Sequence, residues 1–257
     1  NAFGDAYPYA LCPQASEVRE YCATLAEEVV ATTSCGGVVL EACGPMGVEH
    51  SGVHDKTDFA RWDATSRRLL SVCFCAHCAR AFATAGVGVE ELARRVRAGV
   101  ASDAASVEEV LGEDLAATVS AVRAAAARAL RREVTDRVRA LREIRVTLHA
   151  SGERWTSGSF CALGVDDALE DVDALVANAW DLARADEEVA TLVARAGERA
   201  LGAYLRLDRG WPSHATFAAT LQRYAALGVG EAHLYHLGLV DESALDLVRE
   251  VTGAGRP

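Results

Sequence analysis

The chain has 257 residues, 51% of them hydrophobic, and carries 26 basic against 37 acidic side chains for a net charge of −11. That length suits one large α/β domain with a sizeable core, and the acidic balance, with its basic residues scattered among Ala-rich helices, argues against nucleic acid as a partner. No run of about 18 uncharged apolar residues occurs, so no membrane-spanning helix is expected.

The segment Asn1 to Tyr9 reads like the middle of a protein and has no charged and apolar signal stretch, which points to a missing original N-terminus. A helix is predicted from Ser16 to Thr33, with Ser16 as a cap before Glu17, and then a buried strand from Gly37 to Ala42. A long helical insert follows, Arg61 to Arg142, with helices over Glu90 to Arg97 and Val107 to Arg142. Its expected form is an enlarged excursion packed on the rest of one 1–257 domain, because no Pro/Gly/Ser linker flanks it. Strands over Ile144 to Ala150 and Val172 to Trp180 precede a helix from Leu182 to Leu201. Another strand, Leu201 to Leu207, leads to a helix at His214 to Leu227 capped by Ser213. Gly228 and Gly230 turn the chain into a strand from Glu231 to Leu237, and Asp241 opens the last helix, Glu242 to Thr252.

Strand and helix alternate, as in a parallel α/β sheet. Five strands do not close a standard barrel. If Asn1 to Asp5 is the loop after a third strand, they become the fourth to eighth strands of a TIM-barrel-like (β/α)₈ fold.

Eight cysteines occur, and three crowd into Cys73-Phe-Cys75-Ala-His-Cys78. A chain with a large core rarely needs disulfides, so the crowding favours a metal and a reducing, cytoplasmic compartment. Zinc takes four ligands in a tetrahedron; the cluster supplies three thiolates and Cys12 can supply a fourth. Taken alone, the cluster could also be buried or partly paired cysteines.

The segment CFCAHCARAF, Cys73 to Phe82, resembles the zinc-binding segment of family 42 glycoside hydrolases, the bacterial β-galactosidases, and so does LCPQASEVREY, Leu11 to Tyr21. In that family a barrel strand ending in a catalytic glutamate lies between the two, where this chain has Gly37-Val-Val-Leu-Glu41. The likeness covers about Asn1 to Arg97. It implies a structural zinc on Cys12, Cys73, Cys75 and Cys78, with His77 a neighbour or alternate ligand, and leaves Cys22, Cys35, Cys43 and Cys161 as packing residues. It also implies a carbohydrate substrate or ligand, with a homo-oligomer left open.

Glycoside hydrolysis usually uses two carboxyl groups across the scissile bond. Glu41 ends an apolar strand, where barrels place active-site groups, and the likeness maps it onto the general acid/base; a bond to a helix N-terminus or an Arg is the alternative. The family has Asn before that glutamate, whereas this chain has Leu40. The expected seventh strand should end in a nucleophilic glutamate but reads Tyr204-Leu-Arg-Leu-Asp208, which makes Asp208 the candidate second carboxylate. Arg206 suits a carboxylate or anionic substrate, or else a salt bridge. His149, Asn178, Trp180, Trp211, Tyr235 and His236 gather at predicted strand ends and give the flat apolar and hydrogen-bonding mixture a sugar site needs. The loop His50 to Lys56, with His50 and His54, follows Glu41 and could line the same cleft. The expectation is therefore a glycosidase-like barrel, or a carbohydrate-binding or interaction protein that kept the zinc scaffold. A zinc hydrolase is disfavoured, because four thiolates leave no position for water.

Overall fold

The computed structural model describes residues 1–48, 62–165, 167–207 and 211–253. The fold is mixed α/β with parallel strands, and the chain forms two compact units, residues 1–149 with 153–172, and residues 150–152 with 173–257.

The first unit contains α1 (Ser16–Thr32), β1 (Gly37–Leu40), α2 (Ala64–Leu70), α3 (Ala76–Thr84), α4 (Val89–Val100), α5 (Val107–Leu111), α6 (Glu113–Leu141), most of β2 (Arg145–Ser151) and the short β3 (Cys161–Ala162). β1 and β2 pair in parallel, from Gly37 opposite Arg145 to Leu40 opposite Leu148. On α6 the buried positions Ala116, Val119, Arg123, Ala126, Leu130, Val134 and Val138 recur every three or four residues, the period that lays one stripe along a helix. Helix α1 packs along α6, and Arg137 of α6 reaches Glu20 and Glu27 of α1 at 2.8 Å. A second core joins α2 to α6, where Leu69, Leu92, Val96, Val107 and Val119 are fully buried. Trp155 closes this core, and its Nε1 donates to Glu108 at 2.7 Å.

Three sequence expectations change here. The helix expected over Val107 to Arg142 breaks into α5 and α6 at Gly112, whose φ of +81° is a left-handed conformation suited to glycine. Helices α2 and α3 fill a part of the insert that the sequence reading left unassigned. Ser16 lies inside α1 rather than capping it: Ala15 takes the cap position after its N–H closes a turn onto the Cys12 carbonyl, and the Ser16 hydroxyl bonds Glu17.

Several large apolar side chains of the first unit are exposed. Tyr21, Leu25 and Val29, four residues apart on α1, are 58, 54 and 47% exposed, and Val39 on β1 is 52% exposed. β1 has β2 as its only strand partner among the described residues.

The second unit contains β4 (Ala174–Asn178), α7 (Ala185–Ala196), β5 (Ala200–Arg206), α8 (His214–Ala226), β6 (Glu231–Tyr235) and α9 (Glu242–Thr252). The strands are parallel: Asn178 lies opposite Tyr204, and Arg206 opposite Tyr235. Ser213 caps α8 by accepting from the Thr216 N–H, and Asp241 caps α9 by accepting from the Ala244 N–H, as expected from the sequence. Gly228 ends α8 with a φ of +99°. The helix expected over Leu182 to Leu201 is shorter at both ends and stops before Gly197, whose φ is +61°.

Candidate functional site

In the first unit, two segments about sixty residues apart bring four sulfurs together. Cys12 sits in the turn that leads into α1, Cys73 in the link between α2 and α3, Cys75 at the N-cap of α3 and Cys78 in its first turn. The N-terminal end of α3 presents backbone N–H groups and the positive end of its dipole, both of which favour negative sulfur. All four Sγ atoms lie within 4.8 Å of one another; Cys12 and Cys78 are 3.4 Å apart, and Cys12 and Cys75 are 3.5 Å apart. Sulfurs bound tetrahedrally about 2.3 Å from zinc would sit about 3.8 Å apart, so the cluster is already near a metal-binding size. These four residues could hold a metal ion.

The sulfurs compete for protons. Hydrogen bonds from Cys12 and Cys78 hold the Cys73 thiol well below the usual thiol range; contact with Cys73 pushes Cys12 up, and contact with Cys12 and Cys73 pushes Cys78 up. His77 is turned to other partners: its Nε2 lies 3.4 Å from Glu17 and its Nδ1 3.0 Å from Arg80. A cavity of about 350 Å³ borders the sulfurs, with Tyr7, Met46, Phe74 and Arg123 in its wall. Arg123 donates to the Ser71 carbonyl at 3.0 Å and lies over the Trp155 ring.

None of the eight cysteines is in a disulfide. Cys43 and Cys161 are buried, and burial pushes the thiols of both up, Cys161 to about 12. Cys22 and Cys35 are half-buried.

Also in the first unit, Glu41 follows the last residue of β1 and is exposed. The next residue, Ala42, has a φ of +55° and donates its N–H to the Ser159 carbonyl at 2.9 Å. A non-glycine residue in that region is strained, and such strain often collects at functional sites. His149 lies inside β2, 3% exposed, with its ring stacked on Phe160 at 5.1 Å.

In the second unit, ends of neighbouring strands bring several of the sequence candidates together. Gly202 marks the face they share: a Cβ there would lie 2.7 Å from His233 and 3.2 Å from Val176. By the two-residue alternation of strands, Asn178, Tyr204, Arg206 and Tyr235 follow on that face. The Trp180 ring lies 5.5 Å from Tyr204 and 4.9 Å from Tyr235, Tyr204 and Tyr235 are 5.7 Å apart, and the Arg206 guanidinium sits over Trp180 at 5.0 Å. The opposite positions Leu175, Ala177, Ala203 and Leu205 are fully buried. Asn178 turns back on the chain, its Oδ1 accepting from the Trp180 N–H at 3.0 Å. Trp211 donates its Nε1 to the Arg206 carbonyl at 2.9 Å and packs edge-on against Phe217. His236 is exposed beside Tyr235.

Sequence reasoning did not single out Tyr204, although it lies two residues before Arg206 and so on the same strand face. His50, His54 and Asp208 lie outside the described residues. No protein-family model matches the chain, and no curated protein matches it.

Proposed function

We propose that this chain is a glycoside-hydrolase-like (β/α)-barrel that binds carbohydrate at its strand ends, with Glu41 as general acid/base and a structural zinc on Cys12, Cys73, Cys75 and Cys78. The convergence of Trp180, Tyr204, Arg206 and Tyr235 carries the reading. Aromatic faces receive the apolar faces of pyranose rings, and a few polar groups beside them fix the hydroxyls.

Zinc fits the donor set, because four thiolates complete its tetrahedron and leave no coordination position for water. When bound, it supplies charge neutralisation and a crosslink, not chemistry at substrate. Metal analysis of the purified protein should find about one zinc per chain, and none after Cys73→Ser.

Glu41 would donate its proton to the glycosidic oxygen as the bond to the anomeric carbon breaks, and a second carboxylate would receive the sugar or activate water. Asp208 is the candidate for that role. The strained Ala42 beside Glu41 supports a functional strand end. The test is turnover of aryl glycosides by Glu41→Gln, expected to fall by roughly 10²-fold or more. Unchanged turnover of every accepted glycoside would falsify the assignment.

A second reading is favoured by Leu40, which stands where the resembled family has Asn, and by the absence of Glu from Tyr204 to Asp208. In it the barrel keeps zinc and carbohydrate binding without hydrolysis. Covalent labelling by a mechanism-based glycoside inhibitor would count against this reading, since labelling needs a working nucleophile.

A further inference from the structure

Resting on the structural-zinc reading, we propose that the four-cysteine site is also an oxidation site, at which a hydroperoxide converts the metal tie into a Cys12–Cys75 disulfide. The two ends of that tie lie 63 residues apart, one in the turn before α1 and one at the start of α3. Through metal or through a direct S–S bond, the same two segments stay joined.

Access and spacing carry the proposal. The sulfurs border a cavity of about 350 Å³, much larger than the roughly 30 Å³ share of a water molecule, so a small peroxide fits beside them. Cys12 and Cys75 are half-buried and their sulfurs are 3.5 Å apart, so small side-chain rotations bring them to the roughly 2.05 Å of a disulfide. Cys78 is buried. The sulfurs of Cys73 and Cys12 accept the backbone N–H groups of Cys75 and Gln14, which draws electron density from both and damps them as nucleophiles. Cys75 therefore attacks first, and Cys12 closes the bond.

The Cys75 thiolate attacks one peroxide oxygen, the O–O bond breaks and hydroxide departs, leaving Cys75 oxidised by two electrons to a sulfenic acid. The Cys12 thiolate then attacks that sulfur, forms the S–S bond and expels a second hydroxide. Each hydroxide takes up a proton, so two thiolates, one hydrogen peroxide and two protons give one disulfide and two waters. Only Cys73 and Cys78 remain as thiolates, too few to hold a structural zinc, and the ion is released. Oxidation and chelation thus differ: chelation under reducing conditions cuts the tie, whereas peroxide removes the metal and keeps the segments crosslinked.

The experiment treats the zinc-loaded chain with about one equivalent of hydrogen peroxide and follows zinc release with a chromophoric chelator, free thiols, amide exchange, and crosslinked tryptic peptides by mass spectrometry. Cys12 falls in the peptide ending at Arg19 and the other three cysteines in the peptide Leu69 to Arg80, so a link between these peptides is diagnostic and its fragmentation identifies the partner. About one zinc released and about two thiols lost per chain are expected, with a Cys12–Cys75 link and exchange in α3 as slow as in the zinc form. A thiol reductant with added zinc should restore the starting state. Cys12→Ser should abolish the link between peptides; if that variant does not fold, the wild-type peptide map still decides. A disulfide confined to Leu69 to Arg80, or a Cys12 link to Cys73 or Cys78, would overturn the Cys12–Cys75 assignment. Zinc and thiols that survive peroxide would overturn the oxidation proposal and leave the zinc reading standing. A chain that neither carries nor takes up zinc would overturn both.

Discussion

Arg131 is the residue on which the interior of the first unit most depends. Its side chain is 1% exposed and bonds Asp167 at 2.8 Å and Asp171 at 2.6 Å, carboxylates that are themselves 3 and 8% exposed. Truncating it leaves two acids buried without their cation, so Arg131→Ala should lower stability by about 3–5 kcal/mol in urea unfolding. Burial alone would raise the Asp167 carboxyl, but the hydrogen bonds and charge of Arg131 overcome this and hold it below the ordinary range. The folded-state pKa is thus depressed. Its contribution is complete above the unfolded value of about 4 and is lost as pH falls through the folded one, so wild-type stability should drop below about pH 4 and Arg131→Ala should drop less steeply. Nothing in the sequence announced this triad. Arg131 reads as one more exposed charge on an Ala-rich helix, and only the burial of that helix face makes it special. The cysteines were legible for the opposite reason, since Cys-x-Cys-x-x-Cys is a local spacing whose chemistry does not wait on the fold.

At the scale of elements, periodicity and caps located most helices and strands, because an amphipathic stripe or a Ser213-type cap is written within a few residues. The missed helices α2 and α3 are short. The N-cap residue of α3 is Cys75, which makes no side-chain capping bond, so the usual signal is absent. Where α5 gives way to α6, a glycine inside a long helical pattern was read through, although its positive φ makes it a break. A Cβ at Gly112 would meet nothing within 4 Å. The cost of Gly112→Ala is therefore conformational, about 1–3 kcal/mol, measurable as a lower urea midpoint with unchanged slope. At the strand ends, Trp180 and Arg206 were legible as polar or aromatic residues closing apolar runs. Tyr204 was not, because a tyrosine inside such a run reads as core until its neighbours across the sheet are known.

For the whole molecule, the two compact units give the proposed zinc a local signature. Chelation should speed amide exchange around Cys12 and through α3, while α8 and α9 of the second unit keep their protection; equal loss in both units would show that the metal is not a local brace. Composition gives the net charge, which is a sum, but not which apolar side chains stay outside. Tyr21, Leu25 and Val29 form a ridge on α1, and among the described residues β1 pairs with β2 alone. The ridge and the charge oppose one another between copies of the chain. At low ionic strength repulsion dominates; as salt shortens the Debye length, contact between ridges gains weight. The osmotic second virial coefficient from static light scattering should accordingly pass from positive to negative with rising salt, and Leu25→Lys should move the crossing to higher salt. Solutions of this protein would then be most ideal at the salt concentration of that crossing, where repulsion and contact cancel.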